Sequence, residues 1–266
     1  MKVTNLAGTA SRILPTTMYR DTTILRSHAP ETESVQVVRQ KGFGFLDRDF
    51  FDTDSAHAAE FVDCAGYELT GCSAYGRGQT EPGRGYGFLA NYGHGVTMTD
   101  CTASNFRNGF VLASVTSAVL TRCTASECSV SGFSIRNGST DIELFRCSAD
   151  VLRVGNTDWP DGAGDVHVRG GEFVTVEVQG PVNNLLLSVV NIQRGLHLCQ
   201  FIYDGMMLAP YVGVVGDLPP DVHFYTLCNG ERVRGLPFYG QLVHNGEIIT
   251  PKEVAWTGNL ASQAGQ

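Results

Sequence analysis

Three carboxylates around one aromatic ring are the most suggestive chemical group in this sequence. Asp158, Asp161 and Asp165 fall within R-V-G-N-T-D-W-P-D-G-A-G-D, from Arg153 to Asp165, with Trp159 among them. Such a set suits sugar binding and acid-base work on a glycosidic bond, because an indole offers a flat apolar surface and carboxyl groups exchange protons. The same letters also spell ordinary turns in which Asp caps its own loop. Arg122 and Arg146, with Asp100 and Glu143, form a second candidate, since guanidinium forks match carboxylates and could hold an acidic sugar. The competing reading is a solvated face of mixed charge that keeps a sheet soluble. His94, within Tyr92-Gly93-His94-Gly95, is a further candidate for catalysis, and Arg84, in the Gly-rich stretch Gly76 to Tyr86, for binding. The catalytic candidates are thus Asp158, Asp161, Asp165 and His94; the glycan-binding candidates are Arg122, Arg146, Trp159, Asp100 and Arg84.

What positions these residues is a phrase written five times. It reads Y-E-L-T-G-C-S-A from Tyr67, V-T-M-T-D-C-T-A from Val96, A-V-L-T-R-C-T-A from Ala118, I-E-L-F-R-C-S-A from Ile142 and V-H-V-R-G-G-E-F from Val166. The reference column is Cys72, Cys101, Cys123, Cys147 and Gly171, with spacings of 29, 22, 24 and 24 residues. A period of this size implies stacked supersecondary units, and alternation of apolar with other residues inside each phrase implies strands. A second strand is written between the phrases as Gly87-Phe88-Leu89-Ala90, Gly109-Phe110-Val111-Leu112 and Gly132-Phe133-Ser134-Ile135. Two strands per coil, each pairing with its copy roughly 4.8 Å along an axis, predict an all-β solenoid, a parallel β-helix. Leu69, Met98, Leu120, Leu144 and Val168 should form one inward column and the four Cys another.

The G-F-x-[ILA] and [VIL]-x-[LM]-T-x-C-[ST]-A coils resemble the right-handed parallel β-helix superfamily of pectate lyases, polygalacturonases, uronan epimerases and phage tailspikes, over about residues 35 to 200. The resemblance is specific for fold. His94 matches the Gly-His-Gly of polygalacturonases, but the chain has neither an Asp-Asp pair upstream nor Arg-Ile-Lys downstream. The Asp-Pro-His signature of uronan epimerases is absent as well.

Composition agrees with this class. Thirty-one Gly and only 17% charged residues in 266 suit many tight turns around a strand-rich core. A net charge of -8 without any basic run argues against nucleic acid as partner. No apolar run is long enough for a bilayer, no signal peptide is visible, and no cofactor or metal site is written in the sequence. Stacking four of the eight Cys in one column implies buried free thiols made in a reducing compartment.

The expected organisation is an irregular N-terminal arm over 1–34, a β-helix with coils of about 22–24 residues over 35–204, and a C-terminal cap or tip over 205–266. Gly42-Phe43-Gly44-Phe45 reads as an early copy of the Gly-Phe strand. Two insertions, Gly76 to Tyr86 and Arg153 to Asp165, read as leaving from equivalent turns after the Cys strand, the second replacing a Gly-Phe strand; they would wall one shallow groove floored by Arg122 and Arg146. Loops mounted on a rigid solenoid are where binding residues usually sit. The layout resembles a virion protein of tailspike or tail-fibre type, which implies a homotrimer that binds a host surface polysaccharide, contacts other tail proteins, and resides in the virion after synthesis in the host cytoplasm. Alternatives are a lyase, hydrolase or epimerase acting on an acidic glycan, and a cytoplasmic or leaderless secreted location.

Overall fold

The computed structural model describes residues 18–19, 22–26, 35–51, 57–76, 85–156, 161–228 and 230–249, with side chains from residue 39 onward. Asp158, Trp159 and Arg84 lie outside the described residues. Every regular element among the described residues is a strand, and the long-range pairing is overwhelmingly parallel, which makes the chain a parallel β-helix.

Alternation in the phrases decides which side chains turn inward. In Ala65–Thr70, His94–Thr99, Thr116–Thr121, Ser139–Phe145 and Ala163–Arg169 burial alternates along the phrase, so that Tyr67 and Leu69, Val96 and Met98, Ala118 and Leu120, Ile142 and Leu144, and Val166 and Val168 are buried and the residues between them are not. Leu69, Met98, Leu120, Leu144 and Val168 sit on successive rungs of one parallel sheet, each at most 1% exposed. The column expected from the sequence is therefore present. Cys72, Cys101, Cys123 and Cys147 form the next buried column. The thiols of Cys101, Cys123 and Cys147 donate to the carbonyls of Leu69, Met98 and Leu120 in the preceding coil, at 3.6, 3.5 and 3.3 Å. Hydrogen bonding to Cys101 together with burial pushes the Cys72 and Cys123 thiols far above the ordinary range.

All eight cysteines are free. Thiol titration of the denatured protein should therefore count eight with or without reductant. A count short by two would reveal a bridge. In the folded state, burial raises Cys128 to about 11 and Cys199 to about 12, so neither is expected to react quickly with a thiol reagent at pH 8.

Each coil has three faces. The phrase strands make the first, three-residue strands directly after the column, such as Thr102–Ser104 and Thr124–Ser126, make the second, and the Gly-Phe strands Tyr86–Asn91, Asn108–Ala113 and Ser131–Arg136 make the third. The second and third meet at a corner too narrow for side chains on both sides. A Cβ on Gly109 would lie 2.8 Å from the Ala125 Cβ, and one on Gly132 only 2.2 Å from the Ala149 Cβ. The Gly of Gly-Phe and the Ala of Cys-Ser/Thr-Ala are thus two halves of one contact. Beside it the phenyl rings stack, Phe88 on Phe110 at 5.1 Å and Phe110 on Phe133 at 4.9 Å, close to strand spacing.

Several details differ from the sequence reading, each because register rather than motif decides the face. Phe43–Leu46 pairs with Ala65–Thr70, so it belongs to the phrase sheet; the third face begins instead with Val35–Val38 and His57–Val62. No Gly-Phe strand is missing after Cys147: Leu152, Arg153 and Val154 pair with Phe133, Ser134 and Ile135. The two insertions consequently leave from different corners. The first precedes the third-face strand Tyr86–Asn91, whereas the second follows the third-face strand ending at Gly155 and precedes Ala163–Arg169 of the first face. Asp100, Arg122 and Arg146 do not floor a groove either, since they make the turn from first to second face, each in the left-handed region with φ of 54°, 51° and 53°.

The parallel ladder also runs past the boundary expected at 204, and begins before the one at 35. Thr22–Arg26 pairs in parallel with Phe43–Leu46; Tyr211–Val215, Asp221–Cys228 and Gln241–His244 continue the first and third faces. Chain reversals finish each sheet: Glu231–Val233 folds back antiparallel on Asp221–Cys228, and Glu247–Ile249 on Gln241–His244. The buried Gln200 amide fastens the intervening segment, donating to Thr226 Oγ1 and the Pro237 carbonyl and accepting from the Tyr239 N–H.

Candidate functional site

On the third face, residues that point away from the core form rows across the coils. One runs Leu89, Val111, Ser134, Arg153, Glu177, His197, His223. Another, at the start of the strands, runs His57, Tyr86, Asn108, Ser131. Leu89, Val111 and Ala113 are buried in a small apolar cluster separate from the core, with Tyr86 packed against it. Arg136, in register with Ala113, reaches back across the sheet: its Nη2 donates to Tyr86 Oη at 3.0 Å and its guanidinium lies 5.3 Å from the centre of that ring. His57 stacks on the same ring at 4.6 Å.

These side chains enclose a cleft of about 330 Å³, at the lower end of the range typical for small-ligand sites. Tyr86, Arg107, Asn108 and Val130 line its start-of-strand side, Ser134 lies in its floor, and Arg136, Arg153, Gly155, Asn156 and Gln179 line the other side. Gly155 is required there, because its φ is +87° and a Cβ would fall 1.9 Å from the Gln179 carbonyl oxygen. Arg153 is held by a short ion pair, its Nη2 and Nε lying 2.6 and 2.8 Å from Glu177 Oε2. Gln179 donates to the same carboxylate at 3.4 Å. Further along the row, burial together with the neighbouring His223 ring at 5.0 Å lowers the pKa of His197.

The charge balance of the cleft is unusual for this chain. It contributes three arginines to its lining and no carboxylate, while the protein carries a net -8. Glu177 neutralises Arg153 alone. Arg107 is exposed, and no ion pair joins Arg107 or Arg136 to a carboxylate among the described residues. Fixed cations in a concave, partly dehydrated site attract anions more strongly than the same groups on open surface. The lining also contains no imidazole, lysine or thiol, so among the described residues it offers binding groups rather than a base poised near neutral pH.

The candidates singled out in the sequence lie elsewhere or apart. Arg122 and Asp100 make a bidentate pair at 2.7 Å along the first-to-second corner, each side chain half exposed; hydrogen bonding to Arg122 lowers the Asp100 pKa. Arg146 lies over its neighbour Phe145, 5.0 Å from the ring centre, and Glu143 pairs with Arg169 at 3.5 Å. His94 opens a first-face strand and is exposed. Asp161 and Asp165 are exposed, and Asp165 accepts from the Asn184 amide at 3.2 Å. None of these lines the cleft. The stems of both insertions do reach it, through Tyr86 on one side and Gly155 and Asn156 on the other. Among the described residues no group of three or more His, Cys, Asp or Glu could hold a metal ion, and no helix is long and apolar enough to cross a membrane.

No curated protein and no solved structure matches the chain significantly. A family model described as a right-handed beta helix region matches residues 39–173, just over half of the 266. That span holds the phrase strands, the Cys column and most of the cleft, and with the parallel ladder around it the chain belongs to the right-handed β-helix family.

Proposed function

We propose that this β-helix is a glycan-binding protein of tailspike or tail-fibre type, acting on a virion as a homotrimer that attaches to a host surface polysaccharide. The observation that carries the binding reading is the third-face cleft: a concave, arginine-rich and amide-rich surface mounted largely on strands, with Arg107, Val130 and Asn156 on the adjoining turns, and flanked by the stems of both insertions. The donors on strands, Arg136, Arg153 and Gln179, are held in place before the ligand arrives, which reduces the ordering cost of binding. The absence of carboxylate and imidazole from its described lining favours recognition over turnover. The virion role and the trimer rest on the resemblance in layout, a warrant of fold and not of site.

The test is binding of the purified protein to a panel of immobilised bacterial surface polysaccharides. At least one should bind, and Arg107→Met should weaken that binding about tenfold, as expected for loss of a charge-assisted contact. Arg122→Met, on a different corner, should leave it unchanged. Binding that is lost with Arg122 and indifferent to Arg107 would move the site to the corner row. Release of oligosaccharides during the incubation would favour the alternative, an enzyme acting on an acidic glycan, and a monomeric mass in solution would remove the trimer.

A further inference from the structure

Resting on the glycan reading, we propose that the cleft recognises one oxyanionic substituent, a carboxylate, sulfate or phosphate on a single sugar, clasped by Arg107 and Arg136, and that it disfavours polyanionic chains. The first half follows from the unequal state of the three arginines. Arg153 already has its carboxylate in Glu177. Arg136 spends one N–H on the Tyr86 phenol, which is neutral and leaves the charge uncompensated, and its Nε is enclosed with no hydrogen-bond partner among the described residues. Arg107 makes no side-chain hydrogen bond among them. Two cations facing one small cleft, with the amides of Asn156 and Gln179 beside them, ask for a compact anion.

The second half follows from the rim. Val130 lines the start-of-strand side, and the chain reaches it from the second face through Glu127, three residues earlier. The pairing of Thr124 with Ser148 brings Asp150 alongside the Ser126–Glu127 corner of the coil before, and both acids are exposed near this edge. A chain with a charge on every sugar would thread from the cationic centre past these acids and over a surface that is negative overall. A neutral chain bearing one charged sugar meets only the favourable part. Tyr86 adds to this preference, because His57 is stacked on its ring and Arg136 sits over it, leaving that aromatic to shape the cleft rather than to stack a sugar.

The experiment is ligand-observed NMR titration of the full chain with glucose, glucuronic acid, glucose 6-sulfate, glucose 6-phosphate and tetragalacturonic acid. At least one of the three monoanionic sugars should bind about tenfold more tightly than glucose, and whichever leads names the oxyanion. Arg107→Met and Arg136→Met should each remove that preference; Arg107 is exposed without side-chain hydrogen bonds among the described residues, so its variant tests recognition even if the Arg136 variant alters packing. Tetragalacturonate should bind no better than glucuronate. Glucose binding as tightly as every charged sugar, with the Arg107 variant still weakened toward the panel polysaccharide, would overturn the anion assignment while leaving the glycan reading in place. Tetragalacturonate binding tenfold more tightly than glucuronate would overturn the exclusion of polyanions. No binding of any sugar or polysaccharide would remove both.

Discussion

Leu120→Asp is expected to leave no soluble, folded protein. Leu120 is fully buried in the first-face column, on the rung between Met98 and Leu144. A carboxylate placed there would sit among apolar side chains, and burying it uncompensated costs at least several kcal/mol, against a total stability of about 5–15 kcal/mol for a typical domain. Protonation would reduce the charge but leave an unsatisfied polar group in the same place. Expression followed by fractionation and circular dichroism reads the result. Leu120→Met, which keeps volume and polarity, should remain soluble with a loss below about 1.5 kcal/mol. Soluble, strand-rich Leu120→Asp protein of normal stability would contradict the inward column.

Phe110→Ala should cost about 3–5 kcal/mol, the usual range for deleting a buried aromatic ring. Phe110 is the middle of three stacked rings, flanked by Phe88 and Phe133 and 1% exposed. Its removal opens a cavity that neighbouring coils cannot close, because each is held at strand spacing by its own backbone ladder. For a chain of this size the loss corresponds to a fall of roughly 10 °C in Tm. A calorimetric shift of only a degree or two would mean that the aromatic column is not a principal source of core stability. The cleft should also suffer, since Asn108 and the covered Val111 are on the same strand.

How much of this was legible depends on which side of the strand a residue faces. The Cys column and Leu69 to Val168 were readable because the interior repeats: the same small space recurs in every coil and selects the same kind of side chain. Phe43–Leu46 was misassigned because Gly-Phe describes a side-chain environment, and both the first and third faces place phenyl rings inside. Leu152-Arg153-Val154 escaped notice because it lacks both Gly and Phe; only its pairing with Phe133, Ser134 and Ile135 identifies the strand. The cleft was missed for a related reason. Tyr86, Arg136 and Gln179 are far apart in the chain and meet only through register. The third-face strands, aligned in columns, carry a signal of their own in setting Ser134, Arg153 and Glu177 in one row. The corner arginines drew attention because they adjoin the most regular column, yet Arg122 and Asp100 satisfy one another there.

The reversals that finish the two long sheets have a consequence for the protein's behaviour in concentrated solution. Stacked parallel strands at about 4.8 Å are the same geometry by which fibrils recruit further chains, and a rung left open at the end would be a template for them. Among the described residues, the strand presented beyond Asp221–Cys228 is Glu231–Val233, three residues long, exposed, and carrying Glu231 and Arg232; beyond Gln241–His244 it is Glu247–Ile249, beginning with Glu247. Short, charged strands running the opposite way offer an incoming chain little to pair with and reject its apolar side chains. The chain therefore uses a fibril-like architecture for its body and denies growth to it at this end.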